Sequence, residues 1–137
     1  MKYLKAGRCA AAIAGTLLLV CPAVSAHHAS AAQYDVSTLV VLKGVITRAD
    51  WANPHMRVYI DVKNGSGNSD AWTVEFPSPG AAVVAGLSKQ LLAVGTTLTV
   101  EAYPAKPAPE HAAPSRSACA KAMTLSDGSH FAFVVGI

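Results

Sequence analysis

The residues best placed to do chemistry are histidines near the start of the chain and one at a turn. His27 and His28 follow a stretch with the features of a secretory leader. If the leader is cut after Ala26, His27 becomes the first residue, and its amine and Nδ1 can hold one metal ion. A second imidazole completes a T-shaped nitrogen set, and nitrogen donors in a planar array favour Cu(II). His55 is the candidate for that second imidazole, with His28 adjacent in sequence and Met56 a soft donor. A cut after Ser25 would instead start the chain Ala26-His27-His28, where the amine, two backbone nitrogens and the third-position imidazole can form a square plane around Cu(II). The competing assignments are structural. Paired histidines at a terminus are commonly a solvated end, and His55 could cap its turn or bond to Asp50.

A second set of residues suits ligand binding. Trp51 lies in the turn Trp51-Ala52-Asn53-Pro54-His55, which joins two β-prone runs, Arg57 and Tyr59 lie on the run beyond it, and Glu75 lies on the outward side of the third strand. Proline fixes φ and biases the residue before it away from helix, so Asn53-Pro54 marks a corner. A tryptophan and a tyrosine in such positions are more often packing residues than a ligand platform.

Catalytic signatures are missing: there is no Gly-x-Ser-x-Gly, His-Glu-x-x-His, phosphate-binding loop or dinucleotide fingerprint. Cys119 with His111 or His130 is a nucleophile–base pair by composition only. The sequence therefore predicts a non-catalytic protein.

The leader bounds the rest. Lys2, Lys5 and Arg8 precede an apolar run through Leu17-Leu18-Leu19-Val20, and Val24-Ser25-Ala26 is a small-residue cleavage site. This pattern predicts a signal peptide over residues 1–26, too short for a membrane span, and a periplasmic or secreted protein. Cys21 does not suit lipidation, because bulky Val20 precedes it and Pro22 follows. All three basic residues of the leader leave with it, so the formal charge of +3 becomes 8 basic against 8 acidic residues in the 111 that remain. A neutral domain has no electrostatic footprint for nucleic acid, and the expected partner is a protein, a glycan or a small molecule. Only Cys119 remains after cleavage, which excludes an intrachain disulfide.

Residues 27–37 read as an arm and 38–137 as one β domain. Residues 38–50 form a first strand with apolar residues on both parities, so both faces are expected to be at least partly covered. Gly44 within it marks a bulge or bend. Residues 56–63 alternate strictly, with Met56, Val58, Ile60 and Val62 to one side. A third strand carries Trp72, Val74 and Phe76 inward. Ser78-Pro79 opens a helix, with Val83, Val84, Leu87 and Leu91 as its apolar stripe. Strands at 96–103 and 118–125 follow, separated by a Pro- and Ala-rich loop at 104–117. Asp127-Gly128 turns the chain into a short closing strand at 130–135.

Three strands, a helix and two or three strands predict a mainly β fold: a small OB-like antiparallel β-barrel with one short helix between strands three and four. An open antiparallel sheet with a helix on one face is the alternative. From Thr38, an arm of about ten residues spans at most roughly 33–36 Å, against roughly 40 Å for the first strand. The arm could almost return along the barrel to the corner, and a bend in the strand shortens the path, so distance permits a site shared by His27 and His55 without requiring it.

His27-His28, Tyr34-Asp35, Gly44-Val45, the Trp51–His55 corner, Ser78-Pro79, Tyr103-Pro104-Ala105-Lys106 and Asp127-Gly128 together resemble the small secreted bacterial proteins of the domain of unknown function 6152 family. The sequence departs from that pattern at Ala29-Ser30, where members of the family often read Ser-Phe, and in the length of the 104–117 loop. The resemblance implies compartment and domain extent rather than an activity.

Overall fold

A computed structural model describes residues 32–107 and 116–134. His27, His28 and His111 lie outside the described residues, as do the leader and the centre of the 104–117 loop.

Among the described residues, six strands and a short helix between the third and fourth follow in the expected order: β1 (Val40–Asp50), β2 (Met56–Lys63), β3 (Ser69–Phe76), α1 (Pro79–Val84), β4 (Thr97–Pro104), β5 (Ser117–Leu125) and β6 (His130–Ala132). The pairing runs β3-β2-β1-β4-β5-β6, and a further contact between β3 and β5 closes the first five into a barrel. That closing contact is parallel, Thr73 to Ser117 through Glu75 to Cys119, and all other strand pairs are antiparallel. The result is OB-like, with its helix between β3 and β4 and β6 outside the ring. Closure covers strand edges that would otherwise template association.

β1 is the strand that bends. Its first half pairs with β4 and its second half with β2, and Gly44 faces both Val62 and Leu98. A Cβ at Gly44 would sit 2.5 Å from the Asp61 carbonyl oxygen, so only glycine permits this approach. A bulge follows between Ile46 and Arg48. It adds twist where the strand leaves one neighbour for the other.

Period-2 patterning fills the interior. Leu42 and Ile46 of β1, Met56, Val58 and Ile60 of β2, and Val74 and Phe76 of β3 are buried, as are Leu98, Val100 and Met123. β1 is covered on one face only: its Val41 and Val45, and Leu39 just before it, are exposed, which corrects the expectation of at least partial cover on both.

The helix starts as expected. Ser78 Oγ accepts from the Ala81 amide at 3.3 Å, and Pro79 takes the first helical position. Its apolar stripe differs from the one expected. Val83 and Val84 are 62% and 90% exposed, and Ala82 is the residue that packs inward. The helix is only six residues long, so the helical period lapses before Leu87. Leu87 and Leu92 reach the core from the irregular chain that follows, with Leu91 half-buried against it. Gly95 N–H donates to the Ile46 carbonyl, and Ile46 N–H donates to the Thr96 carbonyl. These two bonds pin the α1–β4 connection beside the bulge in β1, next to the Trp51–His55 corner.

Candidate functional site: a cleft at the Trp51–His55 corner

Glu75 is the hub of the site. It lies on the outer face of β3, directly across from Arg57 of β2, and β3 also meets β5 there, so the surrounding backbone is fixed by pairing on both sides. One carboxylate oxygen lies 2.8 Å from His55 Nδ1. The other accepts from the Tyr34 hydroxyl at 3.3 Å. The Glu75 side chain is 20% exposed and that of His55 is 47% exposed. Since an ionised carboxylate only accepts, Nδ1 is the protonated ring nitrogen, which leaves Nε2 to offer a lone pair when the ring is neutral. Metal-binding histidines commonly donate their second nitrogen to a carboxylate in this way.

The arm enters at the same place. Tyr34 pairs with Ala105 beyond the end of β4. Asp35 N–H donates to the Pro104 carbonyl and Lys106 N–H to the Gln33 carbonyl, both at 2.8 Å. The Tyr34 ring is buried, and burial first, then the nearby Glu75 charge, pushes its phenol well above the ordinary tyrosine value. The aromatic anchor of the arm is thus Tyr34. Asp35 secures the turn that follows by accepting from the Ser37 and Thr38 hydroxyls at 2.6 and 2.7 Å.

An open cleft of about 930 Å³ lies over this hub. One wall is the corner, from Ala49 to His55. Arg57 and Glu75 form the floor. The other wall is the α1–β4 connection, which contributes Lys89 and the chain from Leu92 to Val94, and Gln33 of the arm also faces in. A smaller hollow of about 330 Å³ shares Gln33, Arg57 and Glu75 with the cleft and is also bounded by Tyr34 and Thr73. The corner itself contains a cis peptide bond between Asn53 and Pro54.

The expected ligand-binding residues separate into two groups. Trp51, Arg57 and Glu75 share the cleft with His55. Tyr59 does not line it; its ring lies under the Arg48 guanidinium at 5.0 Å. Trp51 and Tyr59 are both half-buried, and Trp51 also packs against the core. His55 does not bond to Asp50, whose carboxylate is held instead by Arg48 at 2.8 Å. The Cys119–His130 pairing is not formed. Cys119 is buried beside Tyr103, whereas His130 lies opposite Thr124, five residues further along β5, and its Nδ1 is 2.9 Å from the Thr124 hydroxyl. Burial, reinforced by Glu75, pushes the Cys119 thiol up to about 11, which disfavours the thiolate a nucleophile requires. Among the described residues, no three His, Cys, Asp or Glu side chains gather as a metal site, and no helix is long and apolar enough to cross a membrane.

Sequence reasoning passed over Tyr34, Gln33 and Lys89. The first two join the site through the pairing of the arm with residues 104–106, which no local pattern announces. Lys89 reaches it because the α1–β4 connection is pinned to β1.

The profile of a family of unknown function, DUF6152, matches residues 15–113. The chain belongs to that family. The DUF6152 match takes in the arm, the corner, both walls of the cleft and β1 through β4, and ends before β5, the strand that closes the barrel. No curated protein and no solved structure matches the chain.

Proposed function

We propose that this DUF6152 protein is a non-catalytic binding module of the periplasm or the extracellular space, and that the cleft at the Trp51–His55 corner seats its ligand. The observation that carries this is the convergence of one half-buried indole, one arginine and a histidine–carboxylate pair on a single open cleft. Its volume is in the range of small-molecule sites, which combine apolar walls with a few fixed polar groups. It also lies where OB-like barrels bind, against strands two and three and the adjoining loops. The experiment is an NMR screen of a small-molecule library against the protein, followed by Trp51→Ala. Ligands whose shifts centre on Trp51, Arg57 and Glu75, and which lose affinity in the variant, support the proposal. Ligands indifferent to Trp51→Ala would place binding elsewhere.

Copper binding by His27, His28 and His55 is the second proposal, and two observations favour it. Glu75 holds His55 through Nδ1, so Nε2 is the donor nitrogen. Gln33 lines the same cleft as His55, so the arm does not have to retrace the barrel from Thr38. From Gln33, the six residues back to His27 span at most about 20 Å when extended. Cu(II) titration of the naturally processed protein, followed by paramagnetic resonance, tests it. A one-to-one nitrogen-rich signal weakened at least tenfold by His55→Ala supports it, and unchanged affinity removes His55 from the site.

A further inference from the structure

We infer that the ligand of the cleft carries an oxyanion, a carboxylate or a phosphate, held between Arg57 and Lys89; this rests on the binding-module proposal above. Two carboxylates and two cations line the cleft, and they differ in what they already hold. Asp50 is neutralised by Arg48 at 2.8 Å. Glu75 is engaged by His55 and by the Tyr34 hydroxyl. The side chains of Arg57 and Lys89, by contrast, make no hydrogen bond or ion pair among the described residues, although Glu75 is the cross-strand neighbour of Arg57 and the Arg57 charge acts on the Tyr34 phenol. Counting Arg57, Lys89, Glu75 and His55, the cleft carries a surplus of one positive charge when His55 is neutral and two when it is charged. Field lines between low-dielectric walls concentrate in such a cleft and favour an anion there.

The geometry adds specificity. Arg57 rises from the pleated floor of β2, where β1 and β3 hold the backbone on either side. Lys89 approaches from the opposite wall. Arginine offers a planar fork that matches a carboxylate or phosphate, and lysine a mobile point charge. Trp51 on one wall and Val94 on the other leave apolar surface for the body of the ligand beside the anionic group.

Inorganic phosphate is the minimal probe. It is titrated into the isotope-labelled full chain at constant ionic strength, with chloride as the reference salt. Phosphate should produce saturable shifts at the Arg57 Nε–H and the Trp51 indole N–H that chloride does not. Arg57→Gln and Lys89→Gln should each weaken that binding about fivefold, as expected for one partly exposed charge interaction. Lys63→Gln, which removes the same charge at the far end of β2, should leave it unchanged. Shifts that do not saturate, or that Lys63→Gln weakens equally, would overturn the inference. If neutral library compounds bind at Trp51 while phosphate does not, the oxyanion seat is wrong and the binding-module proposal stands.

Discussion

Replacing Glu75 by alanine removes the acceptor that joins the arm to the corner, and the two halves of the loss can be separated. The Tyr34 hydroxyl is left with a buried oxygen and no partner. Its bond to Glu75, at 3.3 Å, is long for a hydroxyl donor, so the low end of the penalty for an orphaned group applies, about 1 kcal/mol. The pair with His55 is half-exposed on the histidine side, and such pairs contribute about 0.5 kcal/mol. Glu75→Ala should therefore cost about 1.5 kcal/mol, which lowers Tm by roughly 8 °C for a domain of this size. Tyr34→Phe alone should cost about 0.5 kcal/mol, because Glu75 retains His55 and can reach water. In the Glu75→Ala background the same change should stabilise by a similar amount, since phenylalanine removes the orphaned oxygen. The sign reversal gives a coupling of about 1 kcal/mol, large enough to resolve in a double-mutant cycle by urea unfolding. If the two substitutions simply add, Tyr34 and Glu75 do not act on one another, and the arm is not tied to the cleft through this bond.

Further outcomes follow from the same structure. Gly44→Ala should destabilise by about 2–3 kcal/mol or prevent folding, because the new methyl meets the Asp61 backbone carbonyl rather than a side chain that can move; chemical denaturation checks this. Cys119 should react slowly with thiol reagents in the native protein and promptly when unfolded. Its folded-state value lies above the unfolded one, so its contribution to stability is complete below the ordinary cysteine range and is lost as pH rises towards about 11; Cys119→Ala should remove that part of the alkaline loss in a pH series of melts. Asp35 has the opposite sign. Hydrogen bonds from Ser37 and Thr38 hold its carboxyl below the usual range, so the turn is secured above the unfolded value and released as pH falls through the folded one. Amide exchange at Ser37 should rise in acid relative to the intrinsic rate, and Asp35→Ala should abolish that dependence.

Strand content was readable because β2 alternates without interruption and β3 does so from Trp72 to Phe76, and Ser78-Pro79 and Asp127-Gly128 carry unambiguous start and turn chemistry. Gly44 could be singled out from its position inside an apolar strand, although the reason, a backbone approach from Asp61, is tertiary. The helix stripe was misread because Val83 and Val84 satisfy a helical period that the chain abandons at Ala85. The site was half legible. The corner and the alternation of β2 placed Trp51, His55 and Arg57 at one end of the sheet. Glu75 could be put on the outer face of β3, but not against His55, because that contact depends on the β2–β3 register. Tyr34 comes from an arm with no period and is brought in by its pairing with residues 104–106, and Lys89 follows a helix that ends sooner than its apolar spacing suggests and is brought in by the pinning of the α1–β4 connection.

The most direct test of the central claim, that the corner cleft is the ligand seat, is mapping of backbone and side-chain NMR shifts for library ligands on the full chain. The prediction is that the largest changes fall on Trp51, His55, Arg57, Glu75 and Lys89, with the exposed β1 face at Val41 and Val45 silent. Ligands that instead shift Val41 and Val45 and leave Trp51 and Arg57 unmoved would contradict it.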